Sequence, residues 1–143
     1  MIYLIGIPGL IPFYLCFYNI DLIFLDFDKD MFVYYSAVIM SFLGAVYWGV
    51  YLQSKNNIAI LFSVCPAVYA FLVLAFDLKF DETIGLFIAG YFIVLCFDFF
   101  FYFKEKIIKT DYFILRLILT AGIAPAHILL SLIHISEPTR PSS

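Results

Sequence analysis

The sequence predicts an all-α, polytopic integral membrane protein, a bundle of five transmembrane helices, and three observations carry that expectation. Of its 143 residues, 65% are hydrophobic and 13% charged, against roughly 25% charged in an average soluble domain. The mean hydropathy is +1.04, which is more apolar surface than a water-soluble chain of this size can hide. The apolar residues also fall in runs of about 20, the length that crosses a ~30 Å hydrocarbon core at ~1.5 Å per residue. One domain over residues 1–129 is expected, with helices near 1–20, 32–53, 57–76, 83–103 and 112–130.

The first helix holds Gly6, Pro8, Gly9 and Pro12. No Lys or Arg precedes Lys29 and no Ala-x-Ala follows, so the segment reads as a membrane helix rather than a cleaved signal. Its prolines remove backbone donors, which predicts an irregular or kinked first half. Residues 19–31, NIDLIFLDFDKDM, set four aspartates against one lysine and read as a polar loop.

The second helix, YYSAVIMSFLGAVYWGVYLQ over residues 34–53, carries no charge. It places Ala37, Ser41, Ala45 and Gly49 at four-residue spacing, a groove that another backbone can approach closely. A short turn through Ser54, Lys55 and Asn56 makes the third helix its antiparallel neighbour. In such a hairpin, residues whose numbers share a constant sum lie at equal depth. Gly49 then faces Ala59, Ala45 faces Ser63 and Ser41 faces Ala67, so two small-residue ladders are expected to meet, unless the small residues face lipid instead. Pro66 should loosen the backbone around Phe62. An acidic turn at 77–82 leads to the fourth helix, with Gly85, Ala89 and Gly90, and the loop KEKIIKTD at 104–111 leads to the fifth.

Lysine placement orients the bundle. Lys55, Lys104, Lys106 and Lys109 lie in loops two and four, against Lys29 and Lys79 in loops one and three. The positive-inside rule then puts loops two and four on the cytoplasmic (or matrix) side, with the N-terminus inside and the C-terminus outside. Tyr47, Trp48 and Tyr51 are expected at the inner interface, where amphipathic rings collect.

Chemistry is harder to find. A net charge of −3 points to no nucleic-acid partner. Cys16, Cys65 and Cys96 lie in apolar runs at no metal-ligand spacing. Ser41, Ser63 and Thr120 have no acid or histidine at triad-like spacing, and Gly6-x-x-Gly9 lacks the strand and Lys-Ser/Thr of a phosphate loop. No catalytic residue, metal ligand or cofactor is expected, and the chain does not read as an enzyme. Charge inside a membrane is the strongest pointer to function, and it leaves Asp98 in the fourth helix and Arg116 in the fifth. They lie nine residues either side of Ile107 in the connecting loop, and so at similar depth. Three readings follow: a buried clasp for the helix hairpin, a proton or anion site, or an arginine reaching back to the interface. A lone His127 after Pro125 reads as a hydrogen-bonded or interfacial side chain rather than a ligand.

Several motifs together resemble a known family. They are Gly9-Leu10-Ile11-Pro12-Phe13, the stretch YSAVIMSFLGAVYWG over residues 35–49 that ends in Trp48-Gly49, Ser63-Val64-Cys65-Pro66, and Leu115-Arg116-Leu117 followed by Leu119-Thr120. The chain is similar to the domain of unknown function 3429 family, bacterial relatives of mitochondrial transmembrane protein 69. The resemblance implies the architecture and topology above and no activity. It also implies a histidine in many relatives where this chain has Tyr47. Residues 130–140, LSLIHISEPTR, resemble the conceptual translation of a transposase sequencing adapter, so His134, Glu137 and Arg140 enter no functional argument. The expectation is therefore a structural, interaction or complex-assembly protein of the bacterial inner membrane, or the mitochondrial inner membrane in a eukaryote. Its partners are the lipid bilayer and either another membrane protein or further copies of itself. The alternative is a small transporter or proton-conducting protein using Asp98 and Arg116.

Overall fold

The computed structural model describes residues 6–17, 29–76, 78–104, 106 and 108–136. Among these the chain is helical, with no strand. A 3-10 turn at Ile7–Leu10 leads into α1 (Ile11–Phe17), followed by α2 (Lys29–Ser54), α3 (Asn57–Ala75), α4 (Phe80–Phe103) and α5 (Thr110–Ser136). Among the described residues, four helices are long and apolar enough to cross a membrane: α2, α3, α4 and the Thr110–Leu129 part of α5. At seven residues, α1 extends only about 10 Å. The crossing expected over 1–20 falls partly outside the described residues, at 1–5 and 18–20. So does the acidic loop up to residue 28, while Lys29 and Asp30 already belong to α2.

Local chemistry explains the boundaries. Pro8 opens the 3-10 turn, and Pro12 falls in the first turn of α1, where a backbone N–H would lack a helical partner anyway. α2 ends at Lys55, whose φ of 55° is left-handed and whose N–H reaches Tyr51 O at 2.7 Å. Asn56 then caps α3, its side chain accepting from the Ile58 N–H at 2.9 Å. α4 starts three residues before position 83, because Asp81 and Glu82 suit the positive end of a helix. Glu82 Oε2 accepts from the Lys79 N–H at 3.4 Å. α5 runs on to Ser136, beyond the expected end near 130; residues 137–143 of the expected tail lie outside the described residues.

The long helices form two hairpins, α2–α3 and α4–α5, and α2 also packs against α1 and α4. α1 leans on both α2 and α5, yet no Cα of α2 comes within 8 Å of one in α5. Packed helix axes lie 8–10 Å apart, so these two are bridged by side chains only.

The close approach within the first hairpin is one residue along from the expected ladder. A Cβ on Gly44 would lie 2.7 Å from Ser63 O and 3.0 Å from Pro66 Cδ, whereas one on Gly49 would meet nothing within 4 Å. Ala37 is buried, Ser41 half-buried, and Ala45 and Gly49 exposed. The ladder starts at Ala37, one position (~100°) round the helix from Ser36, and each four-residue step of ~400° carries it ~40° further from the seam. The inward face of α2 instead follows 3.6 spacing through Phe32, Ser36, Met40, Leu43, Gly44 and Tyr47. On α3, Ala59 and Ser63 do face inward and Ala67 is half-buried. α4 closes on this hairpin at Gly90, where a Cβ would lie 2.6 Å from Tyr69 Cε1 and 2.7 Å from Met40 Cε.

Candidate functional site

Asp98 falls on the same inward stripe of α4 as Phe87, Tyr91, Val94 and Phe101. The packing of α4 against α2 and α5 therefore carries a carboxylate into the core. Arg116 arrives from α5, and its Nε lies 3.2 Å from Asp98 Oδ2, with the side chains 3% and 1% exposed respectively. This contact is an ion pair by distance only, because the Nε–H is not aligned on any acceptor. The two-pronged fork that arginine can make on a carboxylate is replaced by a split arrangement. Arg116 Nη2 donates instead to the Leu43 carbonyl of α2 at 2.9 Å.

Tyr47 completes the site. Its hydroxyl donates to Asp98 Oδ1 at 2.7 Å and lies 3.4 Å from Val94 O. It is a buried core side chain, because it shares the inward stripe of α2. Trp48, one position on, is exposed. The Arg116 guanidinium also rests over the Tyr112 ring, 5.2 Å from its centroid. Asp98, Arg116, Tyr47 and the Leu43 carbonyl thus bind α2, α4 and α5 at one level. Arg116 does not reach out to the interface.

A second buried polar cluster joins the same three helices at another level. Ser36 Oγ lies 2.9 Å from His127 Nε2 and 2.8 Å from Phe32 O. His127 Nδ1 lies 3.0 Å from Ile123 O, and the Tyr91 hydroxyl donates to Ser36 O at 2.8 Å. Rings of Phe13, Phe32 and Tyr91 enclose the imidazole, with centroids 4.6–5.5 Å away. His127 and Ser36 are both fully buried. Sequence reasoning missed Ser36, Tyr47 and Tyr91. A usable signal existed: Ser36 and Tyr47, like Arg116 and His127, are 11 residues apart, three helical turns, and so share a face. Of the remaining motif residues, Pro66 packs against Gly44, and Pro12 and Gly49 take no part in either cluster.

Helical content, span length and buried polar ties together define the class: a protein that is all-helical among the described residues, with four helices there fit to cross a membrane. The chain belongs to the DUF3429 family, whose model, described as a protein of unknown function, matches residues 1–133. No curated protein and no solved structure matches it.

Proposed function

We propose that the chain is a multi-pass protein of the bacterial inner membrane, without catalytic activity of its own, that serves as a structural or assembly component of a larger membrane complex. The observation that carries this reading is the engagement of its intramembrane charges. Asp98 and Arg116 are turned on each other, on Tyr47 and on the Leu43 carbonyl, which fixes helices rather than leaving a charge for a substrate. The lysines of loops two and four support a cytoplasmic N-terminus. An affinity-tagged chain, extracted gently and weighed by native mass spectrometry, is expected to carry a stoichiometric protein partner. A bare monomer would count against the assembly role. A second reading, a small proton-conducting protein, is favoured by one feature: Arg116 borders a cavity of about 200 Å³ between the 3-10 turn, α2 and α5. On that reading proton flux into liposomes would occur and Asp98→Asn would stop it.

A further inference from the structure

The open seam between α2 and α5 holds two adjoining cavities. The outer, about 250 Å³, is lined by Val46, Gly49, Gln53, Ile108, Lys109 and Tyr112. The inner, about 200 Å³, is lined by apolar side chains including Leu10, Phe42, Leu115, Leu119 and Ile123, with Tyr112 and Arg116 at its polar end. Val46 and Tyr112 border both. The Tyr112 hydroxyl is buried beside the Arg116 guanidinium, which can only donate to it, and its own proton meets no acceptor among the described residues, an arrangement that costs about 1–3 kcal/mol if nothing fills it. Arg116 is already neutralised by Asp98, so a second anion at that depth would bring an uncompensated charge into a medium of low dielectric. A neutral oxygen acceptor suits the Tyr112 hydroxyl, and an anion suits only Lys109, exposed at the start of α5.

We infer that this seam binds one phosphoglyceride of the surrounding bilayer, its phosphate at Lys109, an ester carbonyl at the Tyr112 hydroxyl, and one acyl chain between α2 and α5. The order along α5 matches that of the lipid. Tyr112 is ~4.5 Å deeper than Lys109, and Ile123 ~16 Å deeper again, at 1.5 Å per residue. A cation, then a hydroxyl donor, then an apolar wall reproduces phosphate, ester and tail. The Cα atoms of α2 and α5 stay more than 8 Å apart, and beside the side chains that cross this seam the inner cavity leaves the tail a place that direct helix packing would close. The exposed Gly49 acquires a reason here, since it lines the outer cavity with no side chain to obstruct it.

The inference rests on the membrane location proposed above, and the test separates the two. The full chain is first washed with alkaline carbonate: release from the membrane would overturn the location itself. Chain that stays is purified in mild detergent and weighed by native mass spectrometry with lipid extraction. The expected result is one phosphoglyceride retained per chain. Leu119→Trp, which fills the inner cavity, should lower retention about tenfold or more, equivalent to ~1.4 kcal/mol. Lys109→Glu, at an exposed site that leaves the fold alone, and Tyr112→Phe should each lower it about fivefold. Val68→Trp, exposed on α3, should leave it unchanged. Membrane-embedded chain without bound lipid, a prenylquinone in the lipid's place, or equal retention in all variants would each overturn the inference.

Discussion

Two buried polar clusters tie α2, α4 and α5 together, and they do so with opposite chemistry. The Asp98–Arg116–Tyr47 cluster depends on charges of opposite sign meeting in the core. The Ser36–His127–Tyr91 cluster makes its ties with uncharged groups and backbone carbonyls. Both repeat at three-turn spacing on α2 and α5, so helical geometry alone would make them equivalent. Their energetics should differ sharply. Removing one member of a buried ion pair strands the other charge, at about 3–5 kcal/mol. A neutral hydrogen bond lost from a packed core costs about 1 kcal/mol. The charged cluster therefore acts as an all-or-none lock, and the neutral one as a set of separable ties.

That contrast is open to test, beginning with the largest effect. Arg116→Leu should lower unfolding stability in detergent by about 3–5 kcal/mol, measured by denaturant titration of helical circular dichroism. His127→Leu, which also removes a fully buried polar side chain, should cost only about 1 kcal/mol, because the Ser36 hydroxyl keeps the Phe32 carbonyl. Equal losses would erase the distinction between the clusters. Removing one hydroxyl from each cluster sharpens it. Tyr47→Phe takes a hydrogen bond from a charged carboxylate and should cost about 1.5–3 kcal/mol, whereas Tyr91→Phe should cost about 0.5–1.5 kcal/mol. A further pair of variants concerns the glycines of α2, where the ladder suggested by sequence and the seam in the structure disagree. Gly44→Ala should destabilise by about 1–3 kcal/mol through collision with Ser63 O and Pro66. Gly49→Ala should be neutral or stabilising by up to about 1 kcal/mol, as a helix gains from alanine. The same denaturant titration reads both.

Much of this architecture is legible in the residues, and the failures have physical causes. The four long helices can be read because an apolar run bounded by charges has few other solutions. Asp98 and Arg116 stand out because nothing else in those runs is charged. The register of the small residues is not legible from spacing by four, since Phe32, Ser36, Met40 and Gly44 share that spacing and are buried; Ala45 and Gly49 end outside because their ladder starts one residue off that face. Tyr47 reads in the sequence as one more ring near the end of an apolar run. Only the inward stripe shared with Leu43 and Met40 shows that it points at Asp98. Ser36 is silent in sequence because a serine in an apolar helix can bond to its own backbone, and Tyr91 because nothing distinguishes it among eleven tyrosines. Their partners lie 91 and 55 residues away.

The most direct test of the account is a double-mutant cycle on Asp98 and Arg116. Asp98→Leu, Arg116→Leu and the double variant would be compared with the unaltered chain in unfolding free energy. A structural lock should make each single variant lose about 3–5 kcal/mol. The double variant, with no charge left stranded, should recover most of that loss, a coupling of about 2 kcal/mol or more. Additive losses, or single variants as stable as the unaltered chain, would contradict the lock and leave the pair's charges to some other use.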